Sequence, residues 1–241
     1  MKILLGDTCL KSSSAALADK NNILAHMESM GEEPHSVMFP KLVDQVLETS
    51  SLKPEDLDGI ASVYGPGSFT GLRIGLTYLK TLAYMLEKPL YLINTLDILA
   101  QADDVEKDIL SIPLIDARNQ EVYTSLYTKR NGVYESISSY EALHIDLLLD
   151  KVEKFLNKNP GFKILVSGDG QTKHFDSIKA RFGNRVLDLD KDREFVNLEF
   201  GLRLLNEDKL VDPLIAMPFY LRESGAVRMK KQDGNRNKKS D

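Results

Sequence analysis

A glycine-rich segment in the first half of the chain has residue types that could bind an anion. Gly65 and Gly67 permit positive φ angles or a close approach of the backbone. Ser68 or Thr70 can cap a helix that begins there, and the N–H groups and dipole of a helix start attract negative charge. A tight turn that only starts the helix explains the same residues equally well.

The spacing of this segment does not match the common phosphate or nucleophile motifs. No lysine follows Gly71, so the P-loop pattern Gly-x4-Gly-Lys-Ser/Thr is absent. Pro66 and Thr70 stand where a nucleophile elbow around Ser68 needs glycine. The segment therefore gives no evidence for a P-loop enzyme or an α/β-hydrolase.

Asp7 and Thr8 end the predicted first strand and could hold a phosphate or a magnesium-bound water. Such residues are common at strand ends, so the pair alone carries little weight. The candidate nucleotide or anion site comprises Asp7, Thr8, Gly65, Gly67 and Ser68.

The four histidines and the single Cys9 give no metal-binding pattern. His35 precedes the first predicted helix, but Phe39 stands four residues later, so a His-x3-His pair is absent. We expect a capping or surface role for His35. No Ser/His/Asp triad can be assigned, and we predict no metal site and no catalytic residue.

The helix predicted from about Thr70 to Glu87 has two apolar stripes. At about 100° per residue, the first stripe consists of Leu72, Leu76, Leu79, Ala83 and Leu86. The second consists of Ile74, Tyr78, Leu82 and Met85, with Gly71 and Gly75 beside it as points where another helix could approach. A surface helix needs one apolar stripe, so this helix is either central in its own domain or lies at a subunit interface. Under the second hypothesis the partner interface is Gly71, Ile74, Gly75, Tyr78, Leu82 and Met85.

The surrounding pattern predicts two α/β domains of similar plan, residues 1–104 and 105–224, separated at the polar stretch Asp103–Asp108. The first half reads as strands Ile3–Thr8, Ser14–Ala18, Ile23–Ser29, Gly59–Tyr64 and Leu90–Ile93, with a helix around Phe39–Leu47 and a short one ending at Ala102. The second half reads as strands Ile109–Asp116, Glu121–Thr128, Val133–Ser138, Lys163–Ser167 and Arg185–Leu189, with a turn at Asn131-Gly132. Its helices are predicted at Asp146–Asn157, Thr172–Phe182 and Glu194–Asn206.

Composition is typical of a soluble cytoplasmic protein. Of 241 residues, 42% are hydrophobic and 28% charged, and there is no apolar run near the roughly 20 residues that cross a membrane. The net charge of −5 argues against a dedicated nucleic-acid binder. Residues 226–241 carry six basic and two acidic residues. We predict that the tail, residues 225–241, is a disordered terminus, although it could also touch RNA.

The segment Gly65–Gly75 resembles the signature of the TsaB family, which is YeaZ-like and glycoprotease-related and serves tRNA threonylcarbamoyladenosine biosynthesis. Other stretches agree: His35-Ser36 with Pro40 resembles the first helix, Pro113–Arg118 with Glu121–Tyr123 resembles the start of the second domain, and Pro218–Arg222 resembles the closing strand. The resemblance covers about residues 1–222. The first strand departs from it, since Gly6 replaces Ile or Val and Cys9 replaces a hydroxyl residue.

The resemblance implies two related actin-like domains of the ASKHA, sugar-kinase type, with a ribonuclease-H-like plan. It implies a non-catalytic subunit that binds and orders a catalytic paralogue, TsaD, which modifies the adenosine next to the anticodon in tRNAs reading codons that begin with A. TsaD binds metal through paired histidines, whereas His35 and Phe39 stand here. The further expectations are a TsaE-type ATPase as partner, ATP or ADP only at the level of the complex, indirect contact with tRNA, no membrane, and a homodimer when alone.

Two other functions remain open from the residues. An actin-like ATP phosphotransferase would need a second phosphate loop with an acid, for which Ser167-Gly168-Asp169-Gly170 is a candidate. A protease would need a nucleophile and a base, and the sequence offers no such set.

Overall fold

The computed structural model describes residues 1–19, 22–31, 33–103, 108–130 and 132–222. The strands are β1 (Lys2–Asp7), β2 (Ser13–Asp19), β3 (Asn22–Ser29), β4 (Gly59–Gly65), β5 (Leu90–Asn94), β6 (Ile109–Pro113), β7 (Ile115–Asp116), β8 (Glu121–Thr124), β9 (Tyr127–Arg130), β10 (Val133–Ser136), β11 (Glu141–His144), β12 (Lys163–Ser167) and β13 (Leu210–Val211). The helices are α1 (His35–Thr49), α2 (Phe69–Met85), α3 (Thr95–Leu99), α4 (Ile145–Lys158), α5 (Gln171–Phe182) and α6 (Leu198–Arg203). The predicted tail and Asn131 of the predicted turn lie outside the described residues.

The first sheet has the order β13-β5-β4-β1-β2-β3. β1, β2 and β3 pair antiparallel, while β4 runs parallel to β1 and β5 parallel to β4. Side chains alternate across β1, so Leu4 faces the core that contains α1 and α2, whereas Ile3 and Leu5 face the core that contains α3 and α6. Helices on both faces explain why β1 is apolar throughout.

The second half repeats this plan in a smaller sheet of order β10-β9-β6-β12. β9 pairs antiparallel with β6 and β10, and β12 runs parallel to β6. Val186 then bridges to Ile164 in parallel, in the position of a fifth strand. Both halves therefore have the ribonuclease-H-like strand order, which confirms the predicted α/β class. The bounds of the two domains stay a prediction.

The two halves share one hydrophobic core. Ile3 and Leu5 of β1 belong to the same buried cluster as Tyr127, Tyr134 and Leu165 of the second half. The two halves therefore pack directly against each other.

Several predicted elements of the second half are wrong in extent. The strand predicted at Ile109–Asp116 is divided into β6 and β7, and that at Glu121–Thr128 into β8 and β9, which join different sheets. At the second division Ser125 Oγ hydrogen-bonds the hydroxyls of Ser136 and Ser138, so the chain changes sheets there. The predicted strand Arg185–Leu189 is reduced to the bridge at Val186.

The C-terminal part of the described chain also differs from prediction. α6 begins only at Leu198, because the Asn197 side chain caps it by accepting from the Glu199 N–H. Pro218–Arg222 is not a strand, although the Phe219 N–H donates to Tyr64 O at 2.8 Å. β11 and β13 had no sequence signal and each pairs with one neighbour, β8 and β5 respectively.

Candidate functional site

Helix α2 begins where the glycine-rich turn ends. The Gly71 N–H donates to Ser68 Oγ at 3.3 Å, so Ser68 is the N-cap. The first apolar stripe forms the inner stripe of the helix, and its buried members are Leu72, Leu76, Leu79 and Ala83. The prediction that this stripe packs on the protein's own core is confirmed.

The second stripe, called the outer stripe here, consists of Ile74, Tyr78, Leu82 and Met85. Met85 is 73% exposed, and the other three are partly buried. Tyr78 packs edge-on against Phe39 of α1, with ring centroids 5.5 Å apart. Burial, with the charge of Asp44, raises the pKa of Tyr78. The outer stripe is thus covered on the α1 side and open beyond it.

Gly71 and Gly75 are buried by β1 rather than open to a neighbouring helix. A Cβ on Gly71 would lie 2.0 Å from Thr8 O, and one on Gly75 would lie 2.2 Å from Thr8 Oγ1. Thr8 Oγ1 also donates to Gly71 O at 2.7 Å. These glycines therefore permit close packing of α2 on Thr8 of the same chain. The prediction was that they would let a helix of another protein approach.

The glycine-rich turn itself is enclosed by two other segments. Gly65 has φ +122°, and a Cβ there would lie 2.6 Å from Phe219 O. A Cβ on Gly67 would lie 2.2 Å from Cys9 O, which also accepts from the Ser68 N–H at 2.7 Å. These contacts support the tight-turn interpretation of the glycines.

Asp7 and Thr8 are both 1% exposed. Burial raises the pKa of Asp7 to about 6; the hydrogen bond from Cys9 opposes this and the charge of Glu28 adds to it. Asp7 Oδ2 has no partner among the described residues. The nucleotide that an actin-like fold implies would need this strand end and turn to be accessible. Asp7 and Thr8 are buried by the protein's own chain and do not fit a bound nucleotide, whereas Ser68 of the turn is exposed and Gly67 partly exposed. A nucleotide or anion at the turn stays a prediction.

A cleft of about 710 Å³ opens between the two halves, beside the start of α2. Its charged lining residues are Lys11, Asp116, Arg118, Asp169 and Arg222. The candidate segment Ser167–Gly170 reaches this cleft through Asp169, across from Ser68, so the structure does bring the two predicted loops together. However, a Cβ on Gly168 would lie 2.4 Å from Leu114 O, so this turn is also filled from within.

The acids of the cleft are already engaged. Asp169 Oδ1 accepts from the Asp116 N–H at 3.0 Å, and burial raises the pKa of Asp169. Lys173 Nζ lies 2.9 Å from Asp116 Oδ1. Burial alone would raise the pKa of Asp116. The hydrogen bond and charge of Lys173, together with the hydrogen bond from the Arg118 N–H, lower it by more, so the pKa of Asp116 lies below its ordinary value. Asp116 is therefore ion-paired, whereas Asp169 accepts a single backbone hydrogen bond.

The turn from β7 to β8 is strained. Arg118, Asn119 and Gln120 have φ values of 65°, 50° and 60°, so three successive non-glycine residues are left-handed. Each such residue costs on the order of 1–3 kcal/mol. The turn directs Arg118 and Asn119 to the rim of the cleft.

A Ser–His pair that the sequence did not reveal lies at the start of α1. Ser13 Oγ and His35 Nδ1 are 2.6 Å apart. Burial lowers the pKa of His35, with a backbone bond to Leu10 opposing. Ser13 is 3% exposed, and within the described residues no carboxylate is hydrogen-bonded to His35. His35 is the first residue of α1 rather than its cap, and the pair fixes that helix end.

Asp97 of α3 joins elements from both halves. Its Oδ1 accepts from the hydroxyls of Tyr127 at 2.9 Å and Tyr140 at 2.8 Å, and its Oδ2 lies 3.6 Å from Lys209 Nζ. Nothing in the spacing of these four residues predicts the network. It ties the halves together beneath the cleft.

Comparison with known sequences identifies the family. The family model described as TsaD, tRNA N6-adenosine threonylcarbamoyltransferase, matches residues 26–188, more than half of the chain. The tRNA threonylcarbamoyladenosine biosynthesis protein TsaB of Bacillus subtilis (strain 168) is 37% identical over 185 residues, which are 77% of this chain and 78% of that protein. The chain belongs to the TsaB family. The TsaB of Escherichia coli (strain K12) is 31% identical over 156 residues, 64% of this chain and 67% of that protein.

The fold of this TsaB family member agrees with a solved structure. A crystal structure of a Pseudomonas aeruginosa protein, described as similar to peptidase YeaZ, superimposes with a TM-score of 0.74 at 23% identity, covering 92% of this chain and 99% of that one. The match to the TsaD model places this TsaB family member in one wider family with the TsaD-type transferases. Across the described residues, none of the helices combines the length and the apolar character needed to cross a membrane, and no group of three or more His, Cys, Asp or Glu is arranged to hold a metal.

Proposed function

We propose that this TsaB family member is the non-catalytic subunit needed for threonylcarbamoyl modification of the adenosine next to the anticodon, and that it binds and orders a TsaD-type catalytic subunit. The observation that carries the proposal is the division of α2. Its inner stripe packs in the protein's own core, while the outer stripe is only partly covered and is open to solvent at Met85. An apolar helix face of this kind is typical of a surface that another protein covers.

The absence of catalysis by the isolated chain is part of this proposal. The strand-end acid Asp7 is buried, and of the two cleft carboxylates Asp116 is ion-paired with Lys173 while Asp169 accepts a backbone N–H. These features argue against the phosphotransferase alternative. The pair Ser13 and His35 has hydrogen-bond geometry, yet its hydroxyl is buried and no acid orients the ring, which argues against a protease.

Several finer statements belong to the same proposal. A TsaE-type ATPase joins the complex, ATP or ADP binds only once the subunits have met, and tRNA is contacted through the partner. The chain works in the cytoplasm and forms a homodimer through the outer stripe when alone.

The experiment is co-purification with a TsaD-type subunit combined with nucleoside analysis of tRNA in a depleted strain. Met85→Glu and Ile74→Glu should abolish co-purification and the modified adenosine, because a charge would be buried unpaired in the interface. Leu147→Glu, on α4 and 56% exposed, is the matched control and should behave as wild type. Normal modification in strains that carry either α2 variant would contradict the proposal, provided that both variants fold as judged by thermal unfolding.

A further inference from the structure

A second, smaller pocket lies where α3 meets α6 and the chain just before α6. Its volume is about 190 Å³. Its apolar walls come from Ile98 and Leu99 of α3, from Phe195 and from Phe200 of α6. Pockets for drug-sized ligands have volumes of about 300–1,000 Å³. This pocket therefore has room only for a small molecule.

Three charged residues line the same pocket, and none of them is ion-paired. They are Arg193, Asp190 and Asp192. Within the described residues the Asp190 carboxylate accepts one hydrogen bond, from the Asp192 N–H at 3.0 Å, and none of the three side chains forms an ion pair. A few polar groups beside apolar walls are typical of a pocket that binds a small ligand.

The guanidinium of Arg193 is the least satisfied of these groups. It has five N–H donors, and the described residues give it one hydrogen bond, from Nη2 to Gln101 O at 2.7 Å. Its Nε is buried and has no partner there. Burial lowers the pKa of Arg193, and the charge of Asp190 opposes this. A largely buried cation without a paired acid is costly, and a ligand carboxylate in the pocket would compensate it.

The charges lie on or beside one helical turn, Lys191–Glu194, which is fixed from the second half of the molecule. Arg193 O accepts from the Gly168 N–H at 2.7 Å. Asp190 O accepts from Nε2 of Gln171, a fully buried side chain, also at 2.7 Å. The charged groups are therefore arranged before a ligand arrives, which lowers the entropic cost of binding.

The combination of charges determines the class of ligand. Arg193 would attract a phosphate or another simple anion, but Asp190 and Asp192 would repel it, and a simple cation would meet the reverse. An uncharged apolar molecule would fill the pocket and leave the charges desolvated without partners. A small molecule that carries one carboxylate and one ammonium group satisfies all three residues.

We propose that this pocket binds a free α-amino acid. The carboxylate of the ligand accepts charge-assisted hydrogen bonds from the Arg193 guanidinium, whose planar donors match a carboxylate. The ammonium group of the ligand lies against the carboxylates of Asp190 and Asp192. The ligand side chain packs on the apolar walls, which favours an aliphatic side chain over a charged one. The inference goes beyond the proposed function, which assigns no ligand to this pocket.

The test uses the isolated full-length chain, with L-valine and L-leucine as probes, in titration calorimetry and thermal unfolding. At a tenfold excess over its Kd, a bound amino acid should raise the unfolding temperature by about 3 °C or more, because it binds only the folded state. L-Valinamide lacks the carboxylate and N-acetyl-L-valine lacks the ammonium group. Each should bind at least about tenfold more weakly than L-valine.

Substitutions separate the contributions of the charges. Arg193→Met keeps a long side chain without the charge and should weaken binding of L-valine by at least about tenfold. Asp192→Asn, at an exposed position, should weaken it by about threefold. Lys191→Met changes an exposed cation of the same turn that does not line the pocket, and it should bind as wild type. Circular dichroism checks folding, and if Arg193→Met does not fold, Asp192→Asn and the two analogues decide.

Three results would overturn the inference. The first is that neither amino acid binds at millimolar concentration. The second is that L-valinamide binds as tightly as L-valine, since Arg193 would then hold no carboxylate. The third is that acetate binds as tightly as L-valine, which would make the pocket a simple anion site. Because every measurement uses the isolated chain, these results are independent of whether the chain binds a TsaD-type subunit.

Discussion

The inner and outer sides of α2 differ in how tightly the protein's own chain covers them. On the inner side, Gly71 and Gly75 let the helix approach β1 until no atom fits between them and Thr8. On the outer side, Met85 leaves a large apolar side chain in water. In an actin-like plan the cleft is the expected working surface. Here the end of β1 beside the cleft is buried. The exposed apolar surface lies instead on the outer side of α2.

The largest effect should follow from disturbing the inner side. Gly71→Val would place a side chain 2.0 Å from the backbone oxygen of Thr8, and a backbone neighbour cannot rotate away. We expect a loss of more than about 4 kcal/mol of unfolding free energy or no folded protein, measured by urea denaturation. Thr77→Val, on the solvent side of the same helix, is the control. A Gly71→Val protein within about 1 kcal/mol of wild type would contradict the close packing of α2 on β1.

The network beneath the cleft should give the next largest effect. Asp97→Ala removes the acceptor of the Tyr127 and Tyr140 hydroxyls. Burial and the charge of Asp97 raise the pKa of both tyrosines, so both hydroxyls are protonated donors. Leaving them unpaired should cost about 3 kcal/mol of unfolding free energy. Asp103→Ala breaks an exposed pair with Arg203 and should cost under about 1 kcal/mol. Equal losses in the two variants would mean that Asp97 does not tie the halves together.

Asp7 provides a comparison that depends on pH. Its folded pKa of about 6 lies above the ordinary value of 3.8, so the folded state binds its proton more tightly than the unfolded state does. As pH rises from about 4 to about 6 the group therefore lowers the unfolding free energy by about 1.4 kcal/mol per pH unit, and above about 6 the loss stays constant at about 3 kcal/mol because both states are then ionised. Asp7→Asn should stabilise the protein at pH 8 and have little effect at pH 3.5, measured by thermal unfolding across pH.

Asp116→Asn is the matched opposite case. Its folded pKa is lowered, so the carboxylate stabilises the folded state above the ordinary pKa, and that stabilisation is lost as pH falls through the folded value. The substitution should destabilise at pH 7 and not in strong acid. If both variants change stability in the same direction at pH 8, the burial of Asp7 is not the cause of its effect.

The sequence predicted what periodicity and local pattern determine. The 3.6-residue repeat identified both stripes of α2, and the inner residues Leu72, Leu76 and Leu79 are buried as expected. The apolar runs predicted the order of strands and helices along the chain, whereas the strand order within the sheets was implied only by the family resemblance. The division of the segment Glu121–Thr128 was not predictable, because the alternation of apolar and polar residues continues through it. The hydrogen bonds of the Ser125 hydroxyl mark the place where the chain passes from one sheet to the other.

Contacts between distant residues explain what the sequence missed. Periodicity placed Gly71 and Gly75 near the outer stripe, yet what meets them is Thr8, more than 60 residues earlier. The Asp97 network has no spacing signal for the same reason. The stretch after β13 also lacks any repeat, and its position beside α2 is set by hydrogen bonds from Lys80 and Arg73.

The smallest effect on stability should come from the outer side, where the effect on assembly is largest. Met85→Ser removes a side chain that is 73% exposed and should change the unfolding free energy by less than about 0.5 kcal/mol. Leu79→Ser, two turns earlier on the inner stripe and 0% exposed, should cost about 3–5 kcal/mol. In the complex the ranking should change, since Met85 becomes buried there, and Met85→Ser should lower affinity for the TsaD-type subunit. A Met85→Ser variant that loses stability as an isolated chain would mean that this residue already packs within its own fold and is not kept open for a partner.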